Sequence, residues 1–89
     1  MNKITRQYIG TAMNGPKFKT NDVRPMLARG EEPFGAIRAR VDALAPGHGL
    51  TVIAPFMPAP LMEVLRSEGF ASSLERRVDG SWSVSFWRA

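Results

Sequence analysis

The sequence contains no cysteine and only one histidine, so several kinds of functional site are excluded at the outset. Without a thiol, the chain has no disulfide, no thiolate metal ligand, no iron–sulfur ligation and no cysteine nucleophile. The histidine, His48, stands between Gly47 and Gly49 in an expected turn, where a solvated loop residue is the default. One histidine without cysteine does not form a usual transition-metal ligand set, so we expect no metal and no bound cofactor.

Long apolar runs are also missing, and the N-terminal residues lack the continuous apolar segment of a secretory signal. We therefore expect a cytoplasmic protein that makes no membrane contact. With 89 residues, of which 44% are hydrophobic and 22% charged, the chain has the size and composition of one small globular domain.

Acidic residues are absent from residues 1–21, which contain Lys3, Arg6, Lys17 and Lys19. The other 12 − 4 = 8 basic residues balance 8 acidic ones, so the net charge of +4 lies in this N-terminal stretch. Four scattered positive charges would bind the phosphates of a nucleic acid only weakly. A solubilising tail is therefore the favoured interpretation, and a nucleic-acid-binding arm is the alternative.

The chain divides into a basic leader, residues 1–19, and a domain, residues 20–89. A turn signal, Asn14-Gly15-Pro16, stands near the end of the leader. We expect the leader to be either flexible or a short extra strand.

Hydrophobic periodicity predicts two strands and two helices in the first part of the domain. Residues 20–24 form a short strand that Pro25 stops, and residues 50–54 form a buried strand. Residues 33–44 and 61–69 form helices. The side chains expected to face the core from these helices are Phe34, Ile37, Val41, Leu44, Leu61, Val64 and Leu65.

Two further strands flank Asp79-Gly80, and their apolar residues determine the register. A two-residue loop there would place Leu74 opposite a serine and send the two apolar rows to opposite faces. We predict instead a three-residue loop that begins one residue earlier and has its glycine left-handed. Leu74 then faces Val84, and Arg76 faces Trp82.

The resulting order is β-α-β-α-β-β. A strand–helix–strand unit favours parallel first and second strands, and the hairpin is antiparallel. We therefore predict an α+β fold, a two-layer α/β sandwich in which a mixed four-stranded sheet has two helices on one face.

Three segments in this order, NDVRPMLARGEEPFGAIRARVDAL, LTVIAPFMPAPLMEVLRSEGF and GSWSVSFWR, resemble the TusA/SirA-like sulfur-carrier fold over residues 21–88. They look closest to its cysteine-less branch, a bacterial domain of unknown function that is sometimes fused to hemerythrin-like domains. In the sulfur carriers, a Cys-Pro pair opens the first helix and the thiol carries persulfide sulfur. Pro33 matches that proline, so Glu32 stands at the cysteine's position, and Gly35 replaces a second proline. The resemblance implies the scaffold but not the sulfur-transfer activity.

Ligands of open α/β sheets gather at the carboxyl ends of parallel strands. The residues expected at this edge are Arg24, Glu31, Glu32, Phe56 and Met57. We expect the glutamates to neutralise the positive start of the first helix, and Arg24 to pair with one of them rather than bind a substrate. Phe56 and Met57 either cover the core or form an exposed contact patch.

No Ser/His/Asp arrangement, glycine-rich phosphate loop or paired-metal spacing is visible, so we do not expect an enzyme. The leading hypothesis is a non-catalytic binding or adaptor module for a protein partner or a small ligand, linked to redox or sulfur metabolism through the resemblance. The alternatives are nucleic-acid binding through the basic leader and a small-molecule activity without a recognisable motif. Trp87, on the opposite sheet face from Trp82, is expected to pack peripherally, against the leader, or to anchor a dimer or partner.

Overall fold

The computed structural model describes residues 17–88, which build one mixed four-stranded sheet and three helices. The elements in chain order are β1 (Lys17–Asp22), α1 (Arg24–Ala28), α2 (Phe34–Asp42), β2 (His48–Ala54), α3 (Ala59–Ser67), β3 (Phe70–Arg76) and β4 (Trp82–Arg88). The strands lie in the order β1-β2-β4-β3, with β1 parallel to β2 and the other neighbours antiparallel. The predicted α+β fold with a mixed four-stranded sheet is confirmed.

The boundaries of the first elements differ from the prediction. β1 covers residues 17–22 rather than 20–24, and the next residues form α1, a short helix that the predicted order lacks. Pro25 does not simply end a strand. It stands in the first turn of α1, where its missing N–H removes no helical hydrogen bond. The rest of the expected leader, residues 1–16, lies outside the described residues, as does the possible extra strand there.

The core lies between the sheet and the helices α2 and α3. Alternate residues of β2 and β4 face the helices, because successive side chains of a strand point to opposite faces. Val64 is wrongly predicted to face the core, since it is 38% exposed, and Met62 packs against the core instead. The core side chains contributed by the two helices are Ile37, Val41, Leu61 and Leu65, and those of β2 and β4 include Leu50, Val52, Val84 and Phe86.

The hairpin between β3 and β4 has the predicted register. Leu74 pairs with Val84, and Arg76 pairs with Trp82. The N–H of Arg77 donates to the carbonyl of Ser81 at 2.8 Å, which closes a three-residue loop. Its glycine is left-handed, with φ of 87°. The guanidinium of Arg76 also lies 5.6 Å from the ring centroid of Trp82, so the predicted pair is a cation–π contact.

The sheet face away from the helices contains one tight aromatic contact. Phe18, Gly49 and Trp87 lie side by side on β1, β2 and β4, and the two rings meet edge to face with centroids 6.0 Å apart. Trp87 therefore packs against a residue of the stretch 1–19. A Cβ atom added to Gly49 would lie 2.6 Å from the carbonyl oxygen of Phe86 and 2.7 Å from Cδ2 of Phe18. Only glycine fits between these rings.

No helix within residues 17–88 has the length and hydropathy needed to cross a bilayer.

Candidate functional site

An apolar groove lies where the carboxyl ends of β1 and β2 meet the starts of α2 and α3. Its volume is about 200 Å³, and we call it the edge groove. Glu32 is its one ionisable lining residue within the described chain. The apolar side chains at its walls include Leu27, Phe34, Phe56, Pro58 and Pro60.

Prolines fix the backbone on both sides of the edge groove. Pro33 is the N-cap residue of α2, and Pro58 is the N-cap residue of α3, with Pro60 in the first turn of that helix. The ring of proline locks φ, so these segments have few alternative conformations. The sequence predicts a loop through Pro60, but α3 begins at Ala59 because a proline is well tolerated in the first turn of a helix.

The side chain of Glu32 hydrogen-bonds to the backbone at the exposed start of α2. Its Oε2 accepts a hydrogen bond from the backbone N–H of Phe34 at 3.0 Å. The first N–H groups of a helix have no partner within the helix, and a carboxylate there also interacts favourably with the helix dipole. The sequence prediction for Glu32 is therefore confirmed.

Glu31 has a different task, at the end of α1. Its N–H donates to the carbonyl of Met26 at 2.9 Å, while the N–H of Gly30, which has φ of 78°, donates to Leu27 at 3.0 Å. These two bonds form a Schellman motif that ends α1. The carboxylate of Glu31 pairs with Arg29 at 2.9 Å, and this hydrogen bond lowers the pKa of Glu31. The prediction that Glu31 neutralises the start of the next helix is wrong.

Arg24 pairs with two aspartates and not with Glu31 or Glu32, so that predicted ion pair is wrong. Its Nη2 lies 2.7 Å from Oδ2 of Asp22, and its Nη1 lies 3.1 Å from Oδ2 of Asp79. Asp79 also accepts hydrogen bonds from the hydroxyl and the N–H of Ser81. The hydroxyl of Ser81 is the largest cause that lowers the pKa of Asp79 to about 2. Arg24 thus ties the end of β1 to the β3–β4 loop.

Phe56 and Met57 are exposed, which decides between the two interpretations of this pair. Phe56 is 54% exposed at the wall of the edge groove, and Met57, the next residue, is 46% exposed. They do not cover the core. The structure therefore brings Glu32 and Phe56 together at the edge groove with Met57 beside them, whereas Arg24 and Glu31 are engaged in ion pairs.

Sequence reasoning missed two contributors to the edge groove. Leu27 lies on α1, the helix that the pattern did not predict. Phe34 matches the helical spacing of core residues, but it is 38% exposed and lines the edge groove. Its position as the first residue of α2 was the available signal, because the first residue of a helix lies at the edge of the sheet that the helix covers.

The edge groove offers contacts rather than reactive groups. Within residues 17–88, no three His, Asp or Glu side chains converge closely enough to hold a metal ion. A single carboxylate above apolar walls can accept a hydrogen bond from a cation or an N–H group of a bound molecule. The walls can bury apolar side chains of that molecule.

Comparison with known proteins identifies the family of the chain. A family model described as an uncharacterized conserved protein, DUF2249, matches residues 20–88. No curated protein and no solved structure is detectably similar to the chain. The matched range covers all but the first 19 residues and the last one. The chain therefore belongs to the DUF2249 family of uncharacterized conserved proteins.

Proposed function

We propose that this domain is a non-catalytic binding module whose contact surface is the edge groove. The main support is that Phe34, Phe56 and Met57, which are large and apolar, remain exposed together at this edge. Single exposed apolar residues are normal on a protein surface, but a cluster around a concave apolar groove is typical of an interaction site.

The restricted backbone around the edge groove favours binding. Association loses free energy when loops and side chains become ordered, and less is lost where the structure is already fixed. Prolines restrict both helix starts at the edge groove, and Pro58 is buried. Phe56 supplies a large rigid side chain, and Met57 supplies an adaptable one.

The partner that fits best is a protein segment with a large apolar side chain beside a positive charge. The apolar side chain would enter the edge groove, and the positive group would face Glu32. Only Oε2 of this carboxylate takes part in the cap of α2, and Oε1 accepts no hydrogen bond from the described residues. A small ligand with the same two features is the other occupant that this surface would accept.

We also infer that the scaffold is related to the TusA/SirA-like sulfur carriers and that it acts in the cytoplasm, in redox or sulfur metabolism. The support is that Pro33 opens α2 and Glu32 precedes it, at the place of the carrier cysteine. The carboxylate accepts one N–H of the helix start, at the place that the thiolate occupies in the carriers by this resemblance. A glutamate in place of the cysteine is consistent with a carrier scaffold that still binds a partner but no longer transfers sulfur.

The double variant Phe56→Ala with Met57→Ala tests the proposal. We expect capture of the physiological partner to weaken by about tenfold or more, because buried aromatic anchors contribute most of the free energy of binding at interfaces. The melting temperature should change by only a few degrees, since both side chains are exposed.

Val78→Ala is the control, because Val78 is fully exposed on the β3–β4 loop and does not line the edge groove. Its capture should equal that of the unmodified protein. Unchanged capture by the double variant contradicts the binding site, and a collapse of its melting temperature shows instead that the two residues support the fold.

A further inference from the structure

A second cleft lies at the opposite end of the sheet, between the start of β1 and the end of α2. Its volume is about 190 Å³, and we call it the basic cleft. Lys19, Arg40 and His48 line it, together with apolar residues that include Ala43 and Leu44. No acidic residue of the described chain lines it. Lys17 stands two residues before Lys19, on the same side of β1.

The cations of the basic cleft differ from the other described cations in having no partner within residues 17–88. Five arginines elsewhere lie within 4.0 Å of a carboxylate, and these are Arg24, Arg29, Arg38, Arg66 and Arg77. Arg76 and Arg88 lie over the rings of Trp82 and Phe70. Lys17, Lys19 and Arg40 take part in neither kind of contact.

Known structural roles explain these cations singly but not together. Lysines on an edge strand deter pairing with a second sheet, and β1 lies at the edge of the sheet that residues 17–88 form. A cation in the last turn of a helix interacts favourably with the helix dipole, and Arg40 is in the last turn of α2. Neither role requires Lys19 and Arg40 to line one cleft that has an apolar floor. That combination points to a ligand with a negative group beside an apolar one.

We propose that the basic cleft binds a nucleotide, either free or as one unit of a single strand. Its phosphate would lie at Lys19 and Arg40, and its base would pack against Ala43 and Leu44. Lysine and arginine are the usual phosphate ligands, and flipped or single-stranded bases pack against apolar side chains. The cleft is smaller than a pocket that encloses a drug-sized ligand, so it would hold the phosphate and part of the base while the rest of the nucleotide stays in solvent. A free mononucleotide and one unit of a single strand share this chemistry. The proposal is independent of the edge groove, which lies at the other end of α2.

The first experiment measures binding of adenosine monophosphate to the full chain by amide chemical shifts in NMR. We expect the largest shifts at Lys19, Ala43 and Leu44. The variants Lys19→Gln and Arg40→Gln should each weaken binding by about tenfold, because each removes a charge-assisted contact to phosphate. Arg66→Gln is the matched control, since it makes the same charge change at an exposed arginine of α3.

A blocking variant tests the cleft without removing a cation. Ala43→Glu places a carboxylate within the basic cleft, where Ala43 is exposed, and it should abolish binding while the chain stays folded by circular dichroism. Inorganic phosphate is the comparison probe. If it displaces the nucleotide at equal concentration, the base makes no contact and the nucleotide assignment is wrong.

A second experiment distinguishes a free mononucleotide from a unit of a single strand as the natural ligand. A labelled single-stranded RNA is titrated with the protein at several salt concentrations. If a strand is the natural ligand, RNA binds more tightly than the mononucleotide, and each cleft variant reduces the slope of log K against log salt by about 0.7. If a free mononucleotide is the natural ligand, RNA binds no more tightly. The proposal is overturned if Lys19→Gln and Arg40→Gln weaken both probes no more than Arg66→Gln does.

Discussion

Single residues explain why this sheet holds together on the face without helices. Gly49 lies between Phe18 and Trp87, and the Phe18 ring covers the position of a side chain at Gly49. Glycine within a strand often marks a close approach of another group. Here the close approach is an aromatic ring that replaces the missing side chain of the glycine and joins three strands.

Gly49→Ala should therefore destabilise the domain. The new Cβ would meet the backbone carbonyl of Phe86 at 2.6 Å, and backbone in the middle of a sheet cannot move aside easily. We expect a loss of about 2 kcal/mol in the free energy of unfolding, and a fall in melting temperature on the order of 10 °C. Thermal melts followed by circular dichroism measure this.

Gly35→Ala is the control for that substitution, because a Cβ at Gly35 meets nothing within 4 Å. Alanine is the better helix former, so this variant should be unchanged or more stable by up to about 1 kcal/mol. Equal melting temperatures for the two variants would show that position 49 accepts a Cβ atom despite the carbonyl of Phe86 and the ring of Phe18.

Gly80 and Gly49 show which residue roles the sequence reveals. The left-handed Gly80 was predictable, because the alternation of apolar residues on both sides allows only one register. The role of Gly49 was not predictable, because it depends on Phe18 and Trp87, which the sheet brings together from distant parts of the chain. The same holds for Arg24, whose partner Asp79 lies 55 residues further along the chain.

At the scale of elements, the two adjacent glutamates separate two helices. Glu31 belongs to the Schellman turn that ends α1, and Glu32 caps α2. The sequence predicted α2, α3 and the hairpin well, because each has a clear periodicity. It missed α1, which has five residues and no buried side chain, so no apolar pattern marks it. Without α1, one wall of the edge groove was also missed.

The start of α2 gives a test of the inferred relation to the sulfur carriers. Glu32→Cys would place a thiol one residue before the N-cap of α2, within reach of unpaired N–H groups. We expect its pKa to be below the free value of about 8.5, because a helix start stabilises the thiolate. The nearby charge of Glu31 opposes this only weakly, since Arg29 pairs with it.

Ser73→Cys provides the reference thiol, because Ser73 is exposed in the middle of β3 and is not part of a helix start. Alkylation rates measured across pH give both pKa values. A thiol at position 32 that titrates at or above the one at position 73 would show that this helix start does not activate a thiolate, against the inferred relation to the carriers.

At the scale of the whole molecule, the two ends of the sheet offer different surfaces. The edge groove is apolar with one carboxylate, and the basic cleft is cationic. The composition had shown only a neutral body with a basic leader. Within residues 17–88, the fold pairs five arginines with carboxylates and leaves Lys17, Lys19 and Arg40 without such a partner at one end. Sequence counts cannot reveal this separation, because it depends on which charges the fold pairs.

The central claim is that the edge groove is a contact surface, and site-specific photo-crosslinking in living cells tests it most directly. A photoreactive amino acid at Met57, which is exposed beside the edge groove, is compared with the same group at Ser72, which is exposed on β3 in the other half of the sheet. We predict one discrete adduct of defined mass from position 57, its loss when Phe56→Ala is added, and no such adduct from position 72. The same adducts from both positions, or an adduct at position 57 that survives Phe56→Ala, would contradict the claim.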